Sequence, residues 1–225
     1  MRKFKKILRK KTEKQLIREF ISLFKICIAK KERLNQRFGL VLPGGSSPVN
    51  LYKALSKTKI NWKNIDLFWV DERFVSQRSS NSNFRLVKKH LINKINISKK
   101  NIFPVNTQKN TVNESANDYE KSIKKYFRNR KVSFDLILLG MGSDGHVASI
   151  FPNNIDLKSN RIISIILRKD FKRITLSLSF INKAKKIFLW LNNKKKSNIY
   201  KKVKNKIKVP VNYLRKNKTT LFLIR

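Results

Sequence analysis

Phe134-Asp135-Leu136-Ile137-Leu138-Leu139-Gly140-Met141-Gly142-Ser143-Asp144-Gly145-His146 is the stretch of this 225-residue chain that decides its architecture. Its apolar half is short, continuous and stopped by glycines. That pattern reads as a strand buried on both faces, the kind found in parallel sheets covered by helices. Working outward, similar apolar runs fall at residues 38–42, 65–70, 162–167, 174–178, 187–191 and 220–224, with shorter candidates at 4–9 and 102–105. Between them lie helical patterns. Thr12 and Gln15 form a capping box ahead of Leu16, Phe20, Leu23, Phe24 and Cys27, which recur at helical spacing to about Lys31. Pro48 suits the first position of a helix carrying Leu51, Ala54 and Leu55, because that position needs no N–H. Further helices are expected over residues 83–92, around Ala116, Tyr119, Ile123 and Tyr126, briefly near Asn182, and from about Ser197. Strands alternating with amphipathic helices predict an α/β fold: a mostly parallel, Rossmann-like sheet with helices on both faces, in a single domain spanning residues 1–225.

The formal net charge is +41, from 54 Lys and Arg against 13 Asp and Glu. Such a balance suggests nucleic acid binding. The lysines, however, run from one end of the chain to the other, and Asn, Ile and Phe are abundant with them. No zinc-finger spacing, RNP-like strand or helix-turn-helix pattern accompanies them. The charge reads as compositional drift, and no specific nucleic acid partner is expected. No stretch approaches the roughly 20 apolar residues needed to span a bilayer, and the basic start has no apolar run of the secretory kind behind it. The expectation is a cytoplasmic protein without a membrane partner. Cys27 is alone, so no internal disulfide forms, and its place is in helix packing.

In open α/β sheets, ligands bind beyond the carboxyl ends of the strands, and three of the runs end there in unusual residues. Gly44-Gly45-Ser46-Ser47-Pro48 offers tight backbone turns, two hydroxyls and a helix N-terminus, which together make a phosphate cradle. Asp71-Glu72-Arg73 puts three charges at a strand end; in extended chain Asp71 and Arg73 share one side and Glu72 takes the other. Gly140 to Gly145 matches G-x-G-x-x-G literally, but it comes late in the chain and lacks the acidic strand end about 20 residues on that ribose recognition requires, so a dinucleotide site is not expected. His146, held in this glycine-rich loop, is the natural general base. The other histidine, His90, lies on a lysine-rich helix and reads as surface.

Taken in order, these segments resemble the 6-phosphogluconolactonase family of the glucosamine/galactosamine-6-phosphate isomerase superfamily. The likeness takes in Phe134 to Pro152, the later Lys172-Arg173-Ile174-Thr175-Leu176 and Lys196, and runs from the first helix to the closing strand. Pro43, Val147 and Asn193 depart from the family pattern beside the site and leave its charged groups intact. The resemblance implies hydrolysis of 6-phospho-D-glucono-1,5-lactone to 6-phosphogluconate. It implies no cofactor and no metal, and a monomer or weak homo-oligomer. His146 takes a proton from water, and Arg73 or the glycine-loop N–H groups stabilise the oxyanion. Asp71 or Asp144 orients the histidine or a sugar hydroxyl. Gly44, Gly45, Ser46, Ser47, Arg173 and Lys196 hold the phosphate. The related glucosamine-6-phosphate deaminases share the Asp-Gly-His loop but continue it through Phe-Asn-Glu. In this chain the fifth residue after His146 is Phe151 and no carboxylate lies between, which favours the lactonase.

Overall fold

The computed structural model describes residues 4–128, 132–157 and 160–225. In chain order the elements are β1 (Lys6–Lys10), α1 (Glu13–Glu32), β2 (Phe38–Leu42), α2 (Val49–Ser56), β3 (Ile65–Trp69), β4 (Asp71–Arg73), α3 (Asn83–His90), β5 (Ile102–Phe103) and α4 (Val112–Phe127). They continue with β6 (Leu136–Leu139), β7 (Ile163–Leu167), β8 (Lys172–Leu176), α5 (Leu178–Ile181), β9 (Lys186–Leu191), α6 (Lys194–Val203) and β10 (Thr219–Ile224). Seven strands form one sheet in the order β1-β10-β9-β6-β2-β3-β5, and every neighbouring pair is parallel. This is the mostly parallel sheet expected from the alternation of runs and helices.

Packing follows from the period of two. In β9 and β10, Phe188, Trp190 and Phe222 share the face on which α1 lies, and Phe20 of α1 meets all three rings at centroid distances of 5.3, 5.8 and 5.6 Å. Truncating a side chain so enclosed costs roughly 3–5 kcal/mol. The start of α1 is fixed by the capping box foreseen in the sequence: the Gln15 N–H donates to the Thr12 hydroxyl at 3.3 Å, and the Thr12 N–H donates to Gln15 Oε1 at 3.3 Å. On α4, the buried Tyr119 hydroxyl accepts from the Trp69 N–H at 2.9 Å and donates to the Trp69 carbonyl at 2.7 Å, tying the helix to the end of β3.

Besides shifts of one or two residues at other strand ends, four boundaries differ in ways that matter. Pro48 is the residue before α2, not its first. The α3 helix stops at His90, and α6 begins at Lys194 because Asn193 caps it, its Oδ1 accepting from the Lys196 N–H at 2.9 Å. The run expected at residues 174–178 pairs instead as Lys172–Leu176. That strand belongs to a second, three-stranded antiparallel sheet, β4-β8-β7, which the pattern of apolar runs did not distinguish from the main one. In it Asp71 faces Thr175 and Arg73 faces Arg173.

The order reverses between β2 and β6. From β2 the chain moves outward through β3 and β5; from β6 it moves the other way through β9 and β10. The loops leaving β2 and β6 at their carboxyl ends therefore diverge and leave a crevice, the usual ligand site of such sheets.

Candidate active site

A cleft of about 230 Å³ opens at that switch point, lined by Pro43, Gly44 to Ser47, Asp71, Arg73, Asn83, Gly140 to Gly142, His146, Ala148, Arg173 and Lys196. Nine of the ten residues singled out in the sequence line it. The tenth, Asp144, does not, but it accepts a hydrogen bond from the His146 backbone at 3.0 Å and meets His146 Nδ1 at 2.6 Å.

The β6 loop is shaped around the histidine. The Gly142 N–H donates to the His146 carbonyl at 2.9 Å, and the Gly145 N–H to the Gly142 carbonyl at 3.1 Å, closing the turn. Gly145 sits at φ +84°, a region favourable only to glycine, and a Cβ on Gly142 would lie 2.0 Å from His146 Cε1. Phe151 packs against the imidazole from the far side, with centroids 4.5 Å apart. Burial alone would raise the Asp144 carboxyl, but the His146 N–H and ring hold it below the usual aspartate range. An ionised Asp144 fixes the proton on Nδ1 and leaves Nε2 as the basic nitrogen.

Asp71 plays a different part. It is 9% exposed; the Ser149 hydroxyl donates to its Oδ2 at 2.5 Å, and Asn83 Nδ2 reaches its carbonyl at 2.9 Å and its Oδ1 at 3.3 Å. Burial pushes its carboxyl above the ordinary range, against the pull of Ser149, Arg173, Arg73 and His146. Its carboxylate is bonded to Ser149 and Asn83, and of the two acids proposed to orient His146, Asp144 is the one in contact.

The cations of the cleft are only partly partnered. Arg73 donates through Nη1 to the Asn81 carbonyl at 2.8 Å, while its buried Nε has no partner. The Nε of Arg173 is likewise buried without a partner, and its Nη2 pairs with the half-exposed Asp170. Phe171 lies under both guanidinium groups, at 5.6 and 5.8 Å. Lys196 donates to the Met141 carbonyl at 2.9 Å, and burial pulls its ammonium pKa below the ordinary value. Opposite them, Gly45 turns at φ +77° and Gly44 passes so close to Asn83 that a Cβ would fall 1.8 Å from its Oδ1. The first turn of α2 has no side-chain cap. Under-paired guanidinium groups, a desolvated ammonium and a glycine turn ahead of a helix together have the chemistry to hold an anion.

Sequence reasoning missed Asn83, Ser149 and Ala148, the last at φ 52° beside the histidine. It also left Glu72 without a task. Alternation turns Glu72 away from the cleft, where its carboxylate accepts from the N–H groups of Arg73, Asn83 and Phe84, each at 2.8 Å, and from the Ser82 hydroxyl at 3.1 Å. Burial nevertheless pushes its carboxyl up to about 7. Among the described residues, no group of three or more His, Cys, Asp or Glu side chains is placed to hold a metal ion, and no helix is long and apolar enough to cross a membrane.

Comparison with known proteins agrees with this geometry. The family model for glucosamine-6-phosphate isomerases/6-phosphogluconolactonase matches residues 11–223, and the chain belongs to that family. It is 36% identical over 155 residues to a 6-phosphogluconolactonase of Nostoc, covering 67% of this chain and 65% of that one. The 6-phosphogluconolactonase of Thermotoga maritima is 31% identical over 187 residues, covering 82% and 83%. The solved structure of the Thermotoga maritima enzyme superposes with a TM-score of 0.83 at 26% identity, over 97% of this chain and 99% of that one. A monomeric glucosamine-6-phosphate deaminase superposes equally well, with a TM-score of 0.84 at 20% identity over 98% and 97% of the two chains. The fold alone thus leaves the two chemistries undivided, and the site has to divide them.

Proposed function

We propose that the protein hydrolyses 6-phospho-D-glucono-1,5-lactone to 6-phosphogluconate. The observation that carries this reading is the meeting, in one cleft, of a histidine oriented by Asp144 at 2.6 Å with Arg73, Arg173 and Lys196. The phosphate of the substrate lies between the Gly44-Gly45-Ser46-Ser47 turn, Arg173 and Lys196. This places the lactone carbonyl toward the β6 loop. His146 Nε2 takes a proton from water as the water oxygen attacks the carbonyl carbon. The oxyanion that forms is stabilised by Arg73 and by N–H groups of the glycine loop. The tetrahedral intermediate then collapses with cleavage of the ring C–O bond, and the imidazolium returns its proton to the departing ring oxygen. Asp71, held by Ser149 and Asn83, receives a sugar hydroxyl. A lactone is an activated ester, so base catalysis worth about 10²–10⁴-fold together with the oxyanion donors is enough.

The deaminase alternative requires a further carboxylate, at the fifth residue after the histidine. That place is taken by Phe151, whose ring packs against the imidazole at a tilt of 44°. Residues 1–225 are read as one domain acting in the cytoplasm, as a monomer or weak homo-oligomer; the continuous apolar core, reaching from Leu8 to Ile224, supports the first point. The test is turnover of freshly prepared lactone, corrected for spontaneous ring opening, beside release of ammonia from glucosamine 6-phosphate. Acceleration of the first alone is expected; ammonia release without lactone hydrolysis would overturn the proposal.

A further inference from the structure

Glu72 is 1% exposed and does not itself line the cleft, yet three residues that do, Asp71, Arg73 and Asn83, are joined to it. Its Oε1 takes the Arg73 and Asn83 N–H groups and its Oε2 the Phe84 N–H and the Ser82 hydroxyl. All four partners are donors, so the ionised carboxylate fits and an amide, which presents two N–H groups of its own, does not. One end of this set is on β4 and the other on the first turn of α3, separated by the loop of residues 74–82. That loop supplies the Asn81 carbonyl on which Arg73 rests. The α3 start supplies Asn83, whose side chain donates to Asp71 and fills the space under Gly44.

We infer that Glu72 is a positioning residue for the reaction: it latches the start of α3 onto β4 and so sets Asp71, Arg73 and Asn83 in register with one another. The inference rests on the lactonase reading of the same cleft. Its reach is short. Asp71 and Arg73 are the covalent neighbours of Glu72, and Asn83 accepts its placement through a single backbone bond. When the latch is lost, the loop of residues 74–82 no longer holds Arg73 against Asn81, and the Asn83 amide leaves Asp71. Misplacement by an ångström is enough to slow a positioned reaction by on the order of 10²-fold.

The experiment compares Glu72→Gln with Asp66→Asn at pH 7.5. Asp66 is an equally buried acid at the other end of the sheet, 2% exposed and paired with Arg37. Melting temperature, kcat and KM for the lactone are measured on both variants. Expected for Glu72→Gln is a kcat at least 10-fold lower with KM within about 3-fold. Asp66→Asn is expected to lose melting temperature while keeping kcat and KM within about 2-fold. Equal kinetics in the two variants, once corrected for the folded fraction, would overturn the inference. If Glu72→Gln does not fold, Asn83→Ala, with Glu72 intact, reads the same link: a kcat fall of at least 10-fold upholds it and an unchanged kcat overturns it. Inactivity of the wild type would show instead that the lactonase reading is wrong. The latch is then decided without substrate, by whether the Asn83 side-chain amide signals move in Glu72→Gln and stay in place in Asp66→Asn.

Discussion

The two ends of the parallel sheet treat charge in opposite ways. At the amino ends of the strands, Asp66 takes a two-pronged Arg37 at 2.6 and 2.7 Å together with the Tyr126 hydroxyl at 3.0 Å. Asp135 there takes Lys185 at 2.8 Å, Lys31 at 3.2 Å and the Gly39 N–H at 3.0 Å. At the carboxyl ends, Arg73 and Lys196 lean on carbonyl oxygens, both arginine Nε groups are buried without partners, and the buried acid Asp71 is bonded to Ser149 and Asn83 instead of to a cation. Paired charges hold a sheet end together. Under-paired cations with a glycine turn beside them keep hydrogen-bonding capacity that, under the proposed function, the substrate phosphate takes up. In a chain of net charge +41, cations are everywhere, and it is their pairing, not their number, that marks the site.

The contrast can be broken most sharply at Asp144. Asp144→Asn should lower kcat by on the order of 10²-fold or more with KM little changed, because the amide no longer fixes the imidazole tautomer; steady-state lactone kinetics at full wild-type rate would remove Asp144 from the account. Next in size are Arg173→Met and Lys196→Met. Each deletes a charge-assisted contact worth about 1.5–3 kcal/mol, so KM should rise roughly 10–100-fold with kcat nearly kept. Turnover of the unphosphorylated lactone by these variants should equal that of the wild type, and an equal loss on both lactones would mean the pair does not serve the phosphate. Smaller again is Gly142→Ala, whose new Cβ displaces the His146 ring. A kcat fall of about 10-fold with an unchanged melting temperature is expected.

The smallest effect is spread over a pH window. Burial raises the Glu72 carboxyl from 4.5 to about 7, so between those values the folded chain binds the extra proton. Its contribution to stability is therefore greatest at low pH and declines as pH rises through the window, by no more than about 1.4 kcal/mol per pH unit. Melts of the wild type and Glu72→Gln should converge from pH 5 to pH 7.5; a gap that widens would contradict the burial argument. Asp144, shifted down, has the opposite sign: its contribution is lost as pH falls below the ordinary aspartate value near 3.8.

Much of this was legible in the sequence because consecutive residues carried it. A glycine turn after an apolar run, or three charges at a strand end, needs no partner to be noticed, and the Thr12–Gln15 box announces its helix locally. What escaped was made by distant residues. Ser149 reaches Asp71 across 78 positions, and Asn83 across 12. The β4 strand has no apolar pattern and exists through pairing with β8. The choice between Asp71 and Asp144 as partner of His146 turned on distance, which spacing does not supply. Asn193, a departure from the family's glycine, is a satisfactory helix cap through its own side chain.

One pair of variants tests the division between the two ends directly. Lactone hydrolysis and thermal unfolding are measured on the same preparations of His146→Ala and Asp66→Asn. His146→Ala should lose at least 10²-fold in kcat while melting like the wild type, and Asp66→Asn should lose about 3 kcal/mol of stability while keeping its kcat. If His146→Ala hydrolyses the lactone at the wild-type rate, the carboxyl-end cleft is not the site of catalysis by this histidine.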